Sequence, residues 1–150
     1  MIMPIDNESM FTERNVIEQI LHDAFYAGIG FTDEDLMQAC TAERLALYKD
    51  NPHRGYFPKQ YQFFILGNLT GKVVCDYACG DGADSVLLVN NGAQKVIAFD
   101  ISKSAVDIAR RRAMLCGLQD RIEVQLDNAE KLNFDSNLFD AIYGSSTLHH

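Results

Sequence analysis

Between Thr12 and Phe25 the apolar residues Val16, Ile17, Ile20, Leu21, Ala24 and Phe25 recur at spacings of three and four. That period places them on one stripe of a helix. A second helix is predicted from Thr32, where Thr32 and Asp35 have the spacing of a capping box, to about Lys49, where NPHRGYFP breaks the pattern. A third, shorter one begins with Pro58 in its first turn and stops near Gly67. Residues 1–70 therefore read as a helical amino-terminal segment.

From Lys72 the period changes. KVVCDY and KVIAFD are short, apolar and rich in β-branched residues, the pattern of strands covered on both faces. GADSVLLVNNG between them predicts a helix stopped at Gly92. After Asp100, SKSAVDIARRRAMLCG predicts another, with Ser104 and Asp107 as a capping box and Gly117 at the C-terminal cap. RIEVQL alternates as a strand and FDAIYGSS supplies a fourth. Strand, helix, strand, helix, strand, connection, strand predicts right-handed crossovers and a parallel sheet. Residues 71–150 are thus expected to form an α/β, Rossmann-like doubly wound core with about four strands.

Composition narrows the class. At 150 residues the chain fits one domain, and 47% hydrophobic with 23% charged residues is ordinary for a globular protein and does not point to disorder. Thirteen basic against 21 acidic residues leave a net charge of −8, which opposes phosphate recognition and argues against a nucleic-acid partner. No apolar run reaches the roughly 18 residues of a membrane span, and MIMPIDNESM lacks the basic and apolar regions of a signal peptide. The expectation is a cytoplasmic protein with no membrane partner. Cys40, Cys75, Cys79 and Cys116 show no CxxC spacing and sit in apolar segments, so reduced, buried thiols and no metal site are expected. Arg110, Arg111 and Arg112 read as a solvated helix face.

The chemistry concentrates in VVCDYACGDGADS, Val73 to Ser85. The first strand-to-helix turn of such a sheet is the usual ligand cradle, and Gly80 and Gly82 let backbone approach a ligand closely. Asp100 ends the second strand, where a carboxylate accepts hydrogen bonds from ribose hydroxyls. Together these features suggest an adenosine-containing cofactor. A nicotinamide dinucleotide requires G-x-G-x-x-G and room for a pyrophosphate, but the loop carries Asp76, Asp81 and Asp84. Those acids suit a ligand bearing an ammonium and a sulfonium.

VVCDYACGDG resembles motif I of the class I, Rossmann-like S-adenosylmethionine-dependent methyltransferases, with Asp76, Gly80 and Gly82 matching and Ala78 replacing the first glycine. VIAFDIS resembles the following motif, with Asp100 as the ribose acid and Ile101 beside the adenine. DNAEKLNFDSNLFDAIYGSSTLHH is similar to the family's G-D-A-E-x-L-P-F stretch and the strand after it. By that resemblance Asn128 falls where an aspartate usually accepts the adenine amine, Ala129 gives a backbone N–H to the ring, and Ser145 begins the loop facing the methyl group. Asn133 stands where proline is usual.

The resemblance implies methyl transfer from S-adenosylmethionine, with a small-molecule acceptor favoured by the helical amino-terminal segment. It identifies no catalytic base. A cofactor-binding module without a complete acceptor site is the alternative, ahead of an NAD-dependent oxidoreductase. The family's sheet continues past strand four, so residues Ala141 to Tyr143 are expected as an open edge. That edge is expected to be completed by a missing carboxy-terminal half or by a second copy in a homo-oligomer. Cys75 and Cys79 read as buried structural residues, Tyr77 as packing or reaching the reacting centre, and His149 and His150 as rim residues. Tyr56, Phe57, Tyr61, Phe63 and Phe64 read equally as a lid and as core.

Overall fold

The computed structural model describes residues 12–38, 66–132 and 134–145. The elements, in chain order, are α1 (Glu13–Ile29), α2 (Asp33–Gln38), β1 (Val73–Tyr77), α3 (Ala83–Asn90), β2 (Lys95–Asp100), α4 (Lys103–Leu115), β3 (Ile122–Leu126) and β4 (Ala141–Gly144). A 3-10 turn, Ala129–Lys131, precedes β4. All strand pairs are parallel and the order is β3-β2-β1-β4. Pairing of Asp76 with Ala98 and Tyr77 with Phe99 brings the ends of β1 and β2 level. The expected doubly wound α/β core is present.

Continuous apolar runs make the inner strands because both faces are covered: Val74 to Asp76 and Val96 to Asp100 are buried without a break. Val74, Val96 and Ala98 share one core with Val86 and Leu88 of α3 and with Val106, Ala109 and Ala113 of α4. Each fully buried valine or leucine stabilises by about 1.5–3 kcal/mol. β3 alternates, with Ile122 and Val124 buried and Glu123 exposed. β4 is the other edge. It buries Tyr143 and leaves Ile142 exposed, as expected of an edge strand.

Caps define most helix starts. Thr12 and Asn15 form a capping box on α1, and Thr32 and Asp35 hold α2 through reciprocal bonds of 2.9 and 3.2 Å. The box expected on Ser104 and Asp107 is corrected: Ser102 is the N-cap of α4, its Oγ accepting the Ala105 N–H at 3.1 Å. The Asp100 carboxylate accepts the Ser102 N–H at 2.9 Å, so the helix starts as soon as β2 ends. Asp107 pairs instead with Lys103 on the surface.

Three further expectations meet a different outcome. The stripe on α1 faces outward: Ile20 and Leu21 are 61% and 64% exposed, while Asn15 is buried. The arginine run is a solvated face only in part: Arg110 and Arg111 are exposed, though both bond across elements, whereas Arg112 is 3% exposed. Arg110 donates to the Val124 carbonyl, and Arg111 reaches Phe31 and Asp33. Cys75 and Cys79 are buried free thiols, with burial and Asp76 pushing Cys75 up to about 12, whereas Cys116 is disulfide-bonded. The reduced-thiol expectation therefore fails at Cys116. The second helix beyond Gln38, the third helix before Leu66, the aromatic cluster, Asn133 and the two terminal histidines lie outside the described residues. No helix among the described residues is long and apolar enough to cross a membrane.

Candidate functional site

Strand order reverses between β1 and β4, which opens a crevice beyond the carboxyl ends of the strands. A cavity of about 280 Å³ lies there, roofed by α1. Six of the sequence-predicted residues line it: Ala78, Asp100, Ile101, Asn128, Ala129 and Ser145. Asp76, Gly80 and Gly82 are not among its lining residues; Asp76 and Gly80 tie the loop after β1 to Ser85 and Asp100.

Asp100 is held from two sides. Its two carboxylate oxygens accept the Gly80 and Ser102 N–H groups, each at 2.9 Å, and the residue is 7% exposed. Burial pushes its carboxyl above the usual range, against the pull of those N–H groups and of His22 on α1. Asp100 thereby joins the glycine loop to the start of α4 and still presents its side chain to the cavity.

The loop acids are engaged with the protein. The Ser85 hydroxyl donates to Asp76 at 2.5 Å, tying buried Asp76 on β1 to the first turn of α3. Asp81 makes a 3.0 Å ion pair with Arg112, and Asp84 accepts from the Tyr143 hydroxyl at 2.9 Å. Burial, followed by Asp84, pushes the Tyr143 phenol well above its ordinary value.

The glycines answer to close packing. Both have left-handed backbone, φ +54° at Gly80 and +77° at Gly82. A Cβ on Gly80 would collide with the Tyr26 hydroxyl, and one on Gly82 would lie 2.8 Å from the Ala109 Cβ. Ala78, at the first-glycine position, also has positive φ, 53°. A left-handed alanine carries strain of about 1–2 kcal/mol, which explains the glycine usual in the resembled motif.

Asn128 is buried, with its side chain oxygen accepting the Glu130 N–H at 3.0 Å. Its amide donates to Asn15 of α1 at 3.1 Å. α1 is the part of the site that sequence reasoning missed: Arg14, Asn15, Glu18, His22 and Tyr26 line the cavity. The signal was present, since these polar residues recur at helical spacing on the face opposite the apolar stripe. Tyr77, Phe99 and Asp127 complete the wall. Among the described residues no cluster of metal-ligating side chains occurs.

Comparison with known proteins agrees with this layout. Residues 74–150, just over half of the chain, match the family model described as Methyltransferase domain. The ribosomal protein L11 methyltransferase of Shigella sonnei is 37% identical over 70 residues, covering 45% of this chain and 24% of that protein. An S-adenosylmethionine-dependent methyltransferase of Mesorhizobium loti aligns with a TM-score of 0.51 at 27% identity, over 57% of this chain and 37% of that one. Geranyl diphosphate C-methyltransferase of Streptomyces coelicolor shares the fold, with a TM-score of 0.54 at 22% identity over 62% of this chain and 37% of that one. The chain spans about a quarter of the length of the curated relatives it matches. With the doubly wound sheet, the loop after β1 and the acid closing β2 all in place, the chain belongs to the methyltransferase-domain family of class I S-adenosylmethionine-dependent methyltransferases.

Proposed function

We propose that the protein binds S-adenosylmethionine in the cavity beneath α1 and transfers its methyl group to an acceptor. The observation that carries the reading is Asp100: a carboxylate on the cavity wall at the end of β2, held in place by the Gly80 and Ser102 N–H groups. The residues present fit the cofactor. Asp100 would accept the ribose hydroxyls, Ile101 would offer apolar surface to the adenine, and Asn128 and Ala129 would border its polar edge. Ala78 and Ser145 would border the methionine end, with Asp76, Gly80 and Gly82 fixing the loop.

When bound, the cofactor supplies a methyl group on a positively charged sulfur. The transfer is an in-line displacement, so the protein contributes alignment and exclusion of water. α1 serves both: Glu18, His22 and Tyr26 cover the cavity, and the Tyr26 hydroxyl packs against Gly80. Burial, then Asp100 and Asp81, push the Tyr26 phenol well above its ordinary value, so it stays protonated and is not a base at neutral pH.

A small-molecule acceptor is supported by the cavity's small volume and by the helix across it. A protein acceptor is the second reading, favoured by relatives named as methyltransferases of a ribosomal protein. A cofactor-binding module without turnover is the third. Methyl release from labelled cofactor, with small amines, small alcohols and ribosomal protein offered separately, distinguishes them. The nicotinamide reading is withdrawn with the family membership. Buried thiols at Cys75 and Cys79 support a cytoplasmic setting, and the disulfide at Cys116 opposes it.

Calorimetric titration with S-adenosylhomocysteine tests the cofactor site. Asp100→Ala should weaken binding by about 1.5–3 kcal/mol, the scale of hydrogen bonds to a charged group. An unchanged dissociation constant would remove Asp100 from the ribose site.

A further inference from the structure

Asn128 occupies the place where the resembled family usually carries an aspartate, and the structure supplies a reason in α1. A backbone N–H can only donate, so the Glu130 N–H fixes which end of the Asn128 amide is oxygen. The nitrogen is then turned toward Asn15, whose Oδ1 accepts from it at 3.1 Å. Asn15 is oriented by the same logic: its Oδ1 also accepts the Thr12 N–H at 3.0 Å, which leaves its nitrogen to donate to Glu130 Oε2 at 3.3 Å. Two backbone N–H groups, one on each element, therefore set the direction of a side-chain chain running from Asn128 through Asn15 to Glu130. Asn15 and Asn128 are each 1% exposed, where a mismatched polar pair is costly.

We propose that Asn15 is a positioning residue for the adenine end of the cofactor site, acting through Asn128, and that it makes asparagine rather than aspartate the working residue at position 128. The inference rests on the cofactor reading above. With aspartate at 128, a carboxylate oxygen would face Asn15 Oδ1 with no proton between them. Asn15 cannot turn to present its nitrogen without pointing that nitrogen at the Thr12 N–H. Held as it is, the Asn128 amide turns its oxygen toward Ala129 and Glu130, the polarity that an amine donor on the adenine requires. The polar underside of α1 is thus part of base recognition, as well as a roof.

The test is a cycle of titrations with S-adenosylhomocysteine on the intact protein and its Asn128→Asp, Asn15→Ala and doubly substituted forms. Asn128→Asp should weaken binding about tenfold when Asn15 is present. In the Asn15→Ala background the same substitution should cost less than about twofold or strengthen binding, because the opposing oxygen is gone. Asn15→Ser gives a second background should the alanine form melt early. The inosine analogue of the ligand, with a carbonyl for the amine, supplies the readout that a merely structural role leaves alone: Asn15→Ala should reduce the preference for the adenosine form about fivefold or more. Equal effects of Asn128→Asp in both backgrounds, or an unchanged preference, overturn the proposal while the cofactor reading stands. If the unsubstituted protein binds neither ligand, the cofactor reading fails and this inference falls with it.

Discussion

Helices α1 and α4 pack against each other, yet they bury opposite kinds of surface. α4 turns Ala105, Val106, Ala109 and Ala113 onto the sheet and keeps its charged residues outside, apart from Arg112. α1 leaves Ile17, Ile20, Leu21 and Phe25 exposed and seats Asn15, His22, Asp23 and Tyr26 toward the protein. The difference follows from what lies beneath each helix. α4 covers apolar strands and is held by burial. α1 spans strand ends rich in polar groups, and it is held by hydrogen bonds: Asn15 to Asn128, and Asp23 to the Ser102 hydroxyl and the Ser104 N–H at 2.6 and 3.0 Å.

Arg112 is where the contrast is most easily broken, because it is the cation that α4 buries. Its guanidinium pairs with Asp81 at 3.0 Å and donates to the Asp81 and Leu36 carbonyls at 2.9 and 3.2 Å, joining α4 to the glycine loop and α2. Arg112→Met should cost about 3 kcal/mol in denaturant unfolding, since it strands Asp81 and two carbonyl groups. A loss below 1 kcal/mol would make α4 a purely apolar anchor. Gly82→Ala probes the apolar side of the same helix. The new methyl meets Ala109 and the backbone stays left-handed, so a cost of about 2 kcal/mol is expected by the same measurement.

For α1 the corresponding change is Asp23→Ala, which removes a cap on the first turn of α4 and should cost about 1 kcal/mol. Its pH dependence sharpens the point. Burial pushes the Asp23 carboxyl up, but the bonds from Ser102 and Ser104 outweigh it and hold the group below its ordinary 3.8. A carboxylate lowered in the folded state stabilises at neutral pH and loses that contribution as pH falls through 3.8 toward its folded value. Melting curves of the unsubstituted protein and Asp23→Asn should therefore converge in acid. The smallest effect belongs to the outer stripe: Ile20→Ser should stay within about 0.5 kcal/mol. A loss above 1 kcal/mol would show the stripe buried and end the contrast.

Much of the core was legible because its signals are local. Short β-branched runs separated by helix-length stretches specified β1 to β4, and Asp100 followed from its place at the end of β2. The cap of α4 was misread because Ser104 and Asp107 have suitable spacing, while the true cap at Ser102 depends on where the Asp100 carboxylate lies. The arginine run was misread because adjacent arginines cannot all share one helix face; Arg112 points inward and finds Asp81 across a gap of sequence.

The order of elements, the strand boundaries and the family motifs were set by the sequence alone, because backbone preference and hydrophobic period act over a few residues at a time. Which face of α1 turns inward was decided only in three dimensions. Period identifies an amphipathic helix, but the polarity of the surface beneath it determines which side is buried. The same holds for Asn128: its identity is written in the chain, and its orientation comes from Asn15, more than a hundred residues away in sequence and 3.1 Å away in space.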